Sequence, residues 1–311
     1  MLREFLLPLV KYFTPFNIFR YLTFRSAYAA VTSLLISYVL GPWLIDRLRV
    51  LKFGQSVRLD GPQSHLTKTG TPTMGGLLII LSVLISVVLW IDITSKYCWI
   101  ALSALIGFGL IGAADDFLKI KKHSSDGLSA AQKLILQFIV STIVVYAIYR
   151  TTGSSITKLY VPFFKVHVVD LGVYWLPIAI IYVATWSNAV NITDGLDGLA
   201  VGLVIFAVLA FSVLTYVTSR ADWSQYLGLP YIKQASELTV FNFALLGACV
   251  GFLWFNAHPA EIFMGDVGSL SLGGVLAVLS LMVKKEILLL VIGGVFVIEI
   301  GSVMLQVIYF K

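Results

Sequence analysis

Long apolar runs alternate with short polar turns along the whole chain. The runs near 26–45, 74–92, 97–114, 132–149, 172–189, 197–217, 238–256, 267–283 and 287–309 predict nine membrane-spanning helices. Each falls within the range of lengths that crosses a bilayer core roughly 30 Å thick. A spanning segment must satisfy its backbone internally, and continuous runs of this length suit helices rather than the alternating strands of a barrel. The expected fold class is all-α, a polytopic integral membrane protein. Residues 1–311 are read as a single integral membrane domain, because the longest loops, 46–73, 150–171 and 218–237, are too short to hold another and no internal repeat is evident. Met1 to Arg20 mixes Phe5, Leu6, Leu7, Leu9 and Val10 with Lys11 and Arg20 and has no small-residue cleavage site, so it reads as an interfacial segment rather than a signal peptide.

Composition agrees with the pattern. Hydrophobic residues make up 59% of the chain, against about 45–50% in soluble domains, and only 12% of residues are charged. Cys98 and Cys249 lie in separate apolar runs, which excludes a disulfide framework or a CxxC metal site and leaves packing as their role. The net charge of +6 suits an anionic membrane surface or phosphorylated ligands, and no nucleic-acid partner is expected.

If nine helices alternate direction, the loops 46–73, 115–131, 190–196 and 257–266 emerge on one side. Arg47, Arg49, Lys52, Arg58, Lys68, Lys119, Lys121, Lys122 and Lys133 crowd the first two of them, which reads as the cytoplasmic side. Alternation carries this assignment more than charge does, since the basic residues divide almost evenly between the two sides.

Five aspartates, Asp115, Asp116, Asp194, Asp197 and Asp266, stand at the ends of these apolar segments on that one side. A carboxylate at or near hydrocarbon depth costs roughly 2.5–3.5 kcal/mol on insertion scales, so the grouping points to function. Asp115 and Asp116 end a helix whose dipole favours cations, so something positive should answer them. Lys119, three and four residues on, is in reach, and a divalent cation could supply the rest. A charged stop at a helix end is the plainer alternative.

The turn Asn191-Ile192-Thr193-Asp194-Gly195-Leu196-Asp197-Gly198, with Asn188 before it, offers amides, two carboxylates that could share a helical face, and glycines that permit close backbone approach. Such a set suits sugar, base or phosphate–metal contacts, and a tight turn with solvated acids is the plainer alternative. In the stretch Phe255 to Leu270, Asp266 directly precedes an apolar span and could simply cap a helix. Asn256, His258 and Phe263 add an amide, an imidazole and a stacking face to the same loop. The basic loop Gly54 to Gly76, with Lys68 and Thr73, suits phosphate oxygens or a lipid surface equally. Gly107-Phe108-Gly109-Leu110-Ile111-Gly112 spells a dinucleotide fingerprint but lies inside an apolar helix with no preceding strand. Close helix packing is the better reading there, as at Gly247 and Gly251.

Together, Asp115-Asp116-x-x-Lys119, the Asn191–Gly198 turn, the Gly70–Gly76 loop and the Asn256–Leu270 stretch resemble the phospho-N-acetylmuramoyl-pentapeptide transferase family, in order and over almost the whole chain. The resemblance implies transfer of phospho-N-acetylmuramoyl-pentapeptide from its UDP carrier, UDP-N-acetylmuramoyl-pentapeptide, to undecaprenyl phosphate. This reaction releases UMP, needs Mg2+ and is the first membrane step of peptidoglycan synthesis, in the bacterial inner membrane with the active site on the cytoplasmic face.

By the same resemblance Asp115, Asp116 and Asp266 are catalytic, and Asp266 is the metal ligand, with Asp115 or Asp116 as a second. Lys68, Thr73, Lys119, Lys133, Asn188, Asn191, Asp194, Gly195, Asp197, Asn256 and Phe263 line the substrate site, with Phe263 stacking on uracil. One aspartate of the pair either deprotonates the lipid phosphate or forms a phospho-aspartate. A homodimer in the lipid bilayer is implied. Family members continue past the segment corresponding to Phe296–Lys311 into a triple-histidine loop and a tenth span. Because this sequence stops at Lys311 and its His65, His123, His167 and His258 form no triplet, truncation is expected.

Three other readings compete. A related UDP-N-acetylhexosamine:polyprenyl-phosphate sugar-1-phosphate transferase would share the aspartates, but Lys119 stands where such enzymes often place an acid. An ion-coupled transporter would place acids near the midplane within inverted repeats. A scaffold would tolerate loss of the aspartates.

Overall fold

A computed structural model describes residues 1–51, 71–122, 127–162 and 168–310. The helices run α1 (Leu2–Leu6), α2 (Leu22–Val50), α3 (Gly76–Trp90), α4 (Lys96–Lys122), α5 (Ala130–Thr152), α6 (Trp175–Thr193), α7 (Leu199–Thr218), α8 (Ala221–Leu227), α9 (Ser236–Asn256), α10 (Gly265–Met282), α11 (Glu286–Ile292) and α12 (Gly294–Phe310). A two-stranded antiparallel hairpin, β1 (Lys158–Tyr160) with β2 (Val168–Asp170), joins α5 to α6, pairing Lys158 with Asp170.

Every apolar run expected to span is helical, but two depart from the simple picture. Among the described residues, seven helical segments are long and apolar enough to cross a membrane, and α11 with α12 make an eighth if the pair is one span bent by 80°. The expected 74–92 span shortens to the 15 residues of α3, about 22 Å long. The backbone ahead of it is engaged elsewhere. Phe263 N donates to the Pro72 carbonyl (2.9 Å), Gly75 N to the Phe263 carbonyl (2.9 Å) and Gly76 N to the Met264 carbonyl (2.8 Å). The expected 287–309 span breaks where Gly293 packs on the Trp186 indole, and only Phe296 of α12 is buried.

The core centres on α10, 89% of whose apolar window is buried between α4 and α6, while α9 packs along α2 and α7. Hydrocarbon gives no hydrophobic drive between helices, so close approach must come from small residues. Gly76 of α3 meets Gly268 of α10, Gly112 of α4 meets the Asp266–Val267 backbone, and Gly247 of α9 meets the Ala30 carbonyl. The packing reading of the Gly107–Gly112 run holds: Gly107 faces Val140 and Gly109 faces Ile80. One consequence is functional, because the α4–α10 crossing presses the start of α10 against the residues that end α4.

The far end of the bundle is tied by a buried ion pair. Arg25, 3% exposed, reaches both carboxylate oxygens of Glu237 at 2.6 Å and the Trp90 carbonyl at 3.1 Å. Glu237 also accepts from Asp92 N (2.9 Å), and Asp92 pairs with Arg3, so the N-terminal segment is fastened to α2, α3 and α9. None of the residues in α1 and the 3-10 turns up to Arg20 is buried, in keeping with an interfacial segment.

Candidate active site

Four helix ends converge on three carboxylates. The last turns of α4 supply Asp115, Asp116 and Lys119, the first turn of α5 supplies Lys133, the end of α6 supplies Asn191, and the first turn of α10 supplies Asp266. Ligand atoms of Asp115, Asp116 and Asp266 all lie within 4.8 Å of one another. Acids at the C-terminal end of α4 oppose its dipole, whereas Asp266 at the start of α10 is favoured by its own.

Two ammonium groups answer the acids. Lys119 Nζ lies 2.6 Å from Asp115 Oδ2, 3.7 Å from Asp116 Oδ1 and 3.0 Å from Asp266 Oδ2. Lys133 Nζ donates to Asp266 Oδ2 at 2.7 Å and stands 3.9 Å from Asp115. Among the described residues, three acids against two lysines leave the cluster formally one negative charge in excess, in a pocket where the Asp115 and Asp116 side chains are only 3% and 4% exposed. Asn191 Nδ2 bridges Asp266 Oδ1 (2.7 Å) and Ser269 Oγ (2.8 Å). Asp115 Oδ1 accepts from Leu128 N (2.8 Å), which fastens the loop before α5 to the cluster. Among the described residues Asp116 is the least engaged of the three: Oδ2 accepts the long bond from Val267 N (3.3 Å).

Asp266 is not a helix cap. Met264 holds the N-cap position and no side-chain cap bond forms there, while Asp266 is committed to Lys119, Lys133 and Asn191. Gly265 sits at φ 71°, a conformation only glycine adopts cheaply, and a Cβ there would lie 2.5 Å from Asp116 Oδ2 and 2.8 Å from Thr73 Oγ1. Thr73 therefore borders the cluster. Lys68 lies outside the described residues.

The Asn191–Gly198 turn adopts a different form from the one expected. Asp194 and Asp197 do not share a helical face, because α6 ends at Thr193 and α7 begins only at Leu199, with Gly198 at φ 73° between them. Asp197, its side chain 5% exposed, accepts from Ala260 N (3.4 Å) and lies 3.1 Å from His258 Nδ1. Asp194 is pushed well above the usual carboxylate range by burial, then by the charges of Asp266, Asp116 and Asp197. Gly195 needs neither positive φ nor close approach, since a Cβ there would meet open space. Phe263 is half-buried, with its backbone paired to Pro72 and Gly75.

Two expected substrate amides are engaged within the protein. Asn188 and the fully buried Gln137 exchange hydrogen bonds of 2.7 and 3.2 Å between α6 and α5. Asn256 accepts from Gly198 N (3.1 Å) and donates to the Ile262 carbonyl (2.9 Å), stapling the two loops together. Sequence reasoning passed over Gln137, although it lies four residues after Lys133 and so one turn deeper on the same face. It also passed over Gly127, where a Cβ would lie 2.5 Å from Asp115 Oδ1; no spacing rule marks that residue.

Comparison with known proteins places this arrangement. Residues 98–284 match the family model described as glycosyl transferase family 4. The chain is 50% identical to the phospho-N-acetylmuramoyl-pentapeptide-transferase of Desulfatibacillum aliphaticivorans, 49% to that of Rickettsia massiliae and 45% to that of Citrifermentans bemidjiense. These matches cover 99–100% of the chain and 86% of each relative. With family match and full-chain identity in agreement, the chain belongs to glycosyl transferase family 4, among the phospho-N-acetylmuramoyl-pentapeptide-transferases.

Proposed function

We propose that the chain transfers phospho-N-acetylmuramoyl-pentapeptide from its UDP carrier to undecaprenyl phosphate. An oxygen of the lipid phosphate attacks the sugar-linked phosphorus of the pyrophosphate, the bond to the bridging oxygen breaks, and UMP leaves. The observation that carries this reading is the carboxylate cluster with its two lysines, in a chain 45–50% identical over its length to relatives so named. The relatives are bacterial and the apolar helices mark a membrane protein; the catalytic end is assigned to the cytoplasmic face, where the water-soluble UDP substrate is available.

The chemistry brings several phosphate charges together, so catalysis is mainly charge management. Lys119 and Lys133 are the cations set to stabilise the transition state, with Lys68 as a third. The cluster fits a magnesium ion, since it offers three carboxylates and no softer donor, the donor chemistry that Mg2+ takes alongside water and phosphate oxygens. Asp266 would hold it, with Asp115 or Asp116, and when bound it would neutralise developing phosphate charge. Asp116, the least engaged of the three carboxylates among the described residues, is assigned either to the lipid phosphate's proton or to covalent attack. Because a phosphate monoester has a second pKa near 6, a base matters less as pH rises.

We assign Phe263 to stacking on uracil and Thr73, Asn191, Asp194, Gly195 and Asp197 to the nucleotide and sugar. Asn188 and Asn256 are positioning residues, because their amides already hold Gln137 and the two loops. The test is UMP release by the purified chain given undecaprenyl phosphate and either UDP-N-acetylmuramoyl-pentapeptide or UDP-N-acetylglucosamine. Turnover of the pentapeptide substrate alone supports the assignment; turnover of the smaller sugar moves the chain to a related sugar-1-phosphate transferase.

A further inference from the structure

From Leu199, beside the carboxylate end, α7 runs 20 residues to Thr218. That is about 30 Å, so Thr218 stands near the opposite bilayer surface. The chain then leaves the bundle as α8 and returns, with Ile232 N donating to the Thr218 carbonyl (2.8 Å), which holds α8 at the level of that surface. The seven residues of α8 sort by direction. Ser224, 1% exposed, faces the bundle. Trp223, Tyr226 and Leu227, which are 48%, 84% and 48% exposed, fall within about 100° of arc to one side of it. Asp222 and Gln225 fall to the other side, where Asp222 holds Arg220 in an exposed two-point ion pair (2.7 and 3.1 Å). One flank of α8 is therefore apolar and aromatic and is left open by the described residues, while the other is polar and neutral as a pair.

We propose that the open flank of α8 is an interaction surface for the lipid bilayer. Trp223, Tyr226 and Leu227 sit in the headgroup–acyl boundary of the leaflet opposite the carboxylates, and Arg220, Asp222 and Gln225 stay in water. Three observations select lipid as the occupant. Trp and Tyr, each an apolar ring with a polar tip, are the residues that membrane–water interfaces take. The flank is continuous with a surface that already faces hydrocarbon, since Phe206, Leu209 and Val213 are exposed on the spanning helix that ends at Thr218. Three side chains are also too few for a protein partner, because a stable protein interface takes roughly 20–30 residues a side. The surface lies away from the carboxylates, so its role is separate from the transfer reaction.

The test uses the full chain in dioleoyl phosphatidylcholine nanodiscs, spin-labelled at Tyr226→Cys or, on the polar flank, at Gln225→Cys. Cys98 and Cys249 are buried and leave the background unlabelled. Dissolved oxygen concentrates in hydrocarbon and a nickel chelate stays in water, so power saturation of the label reads its depth. The ratio of oxygen to nickel accessibility should be higher at Tyr226 than at Gln225 by about threefold or more, as expected for the two sides of an interfacial helix. Leu227→Cys should repeat the Tyr226 result, so the outcome does not hang on one variant. Equal nickel accessibility at all three positions would overturn the proposal, by placing the flank in water. Loss of access to both reagents at Tyr226 and Leu227 would also overturn it, by assigning the flank to a protein partner, as would dipolar broadening between labels in one nanodisc, by assigning it to a second copy of the chain.

Discussion

Gly127→Ala is the substitution whose effect follows most directly from the geometry. A methyl at this position would lie 2.5 Å from Asp115 Oδ1 and 2.8 Å from Asp115 Cγ, where contacts below 3.0 Å are essentially never tolerated and 3.4 Å is ordinary. The carboxylate and the loop must therefore separate by about 0.5–0.9 Å. If the loop retreats, the 2.8 Å bond from Leu128 N to Asp115 breaks; if the carboxylate turns away, its 2.6 Å contact with Lys119 breaks. Either way Asp115 loses a charge-assisted hydrogen bond worth about 1.5–3 kcal/mol. A misplacement approaching 1 Å at a catalytic group costs on the order of 10²-fold in rate. UMP release at saturating substrate should thus fall roughly 10²-fold in kcat, while the melting temperature falls by only a few degrees, as expected for one lost hydrogen bond. Gly202→Ala, at a glycine outside the site with open space around it, is the control and should stay within about threefold of wild type. A Gly127→Ala enzyme as fast as that control would refute the view that Asp115 must be held in its observed place.

Other perturbations probe the rest of the account. Arg25→Met removes one partner of a buried ion pair and should destabilise the protein by about 3–5 kcal/mol, with Arg25→Met/Glu237→Gln recovering much of the loss in detergent melting curves. Asp194 is pushed upward, so its folded form holds a proton that the unfolded chain releases as pH rises above about 4; stability falls from there up to the folded pKa and stays lower beyond it. Asp194→Asn should therefore melt higher than wild type at pH 8, the gap closing near pH 4; a variant that melts lower at pH 8 would reverse that sign. Asn256→Ala unties Gly198 from Ile262 and should raise KM for the UDP substrate by about tenfold more than it lowers kcat, as expected if two hydrogen bonds of about 1 kcal/mol only shape the binding loops.

Much of the fold was legible because hydrocarbon imposes simple rules: a long apolar run must be a helix, and a carboxylate at its end is expensive unless it has work to do. The Asp115-Asp116-x-x-Lys119 spacing fixed its own local geometry, and alternation of spans correctly brought Asp266 and Asn191 to the same end. What escaped sequence reasoning depends on contacts between elements far apart in the chain. The shortened start of α3 follows from backbone pairing with Phe263 and Met264, which no periodicity encodes. The partners of Asn188 and Asn256, Gln137 and the Gly198 and Ile262 backbones, are adjacent to them only in three dimensions. The Arg25–Glu237 pair joins residues 212 apart, and no local pattern marks it.

The central claim is that Asp115, Asp116 and Asp266 act as one cation-binding catalytic unit on a lipid phosphate. Its most direct measurement is formation of butanol-extractable lipid-linked pentapeptide from labelled UDP-N-acetylmuramoyl-pentapeptide and undecaprenyl phosphate, with Mg2+ titrated for wild type and for Asp266→Asn. The account predicts Mg2+-dependent lipid product from the wild type and a loss of at least 10²–10³-fold in Asp266→Asn at any Mg2+ concentration, the scale seen when an electrostatic stabiliser is removed. Lipid product that forms equally with and without divalent cation, or an Asp266→Asn variant that keeps wild-type turnover, would contradict it.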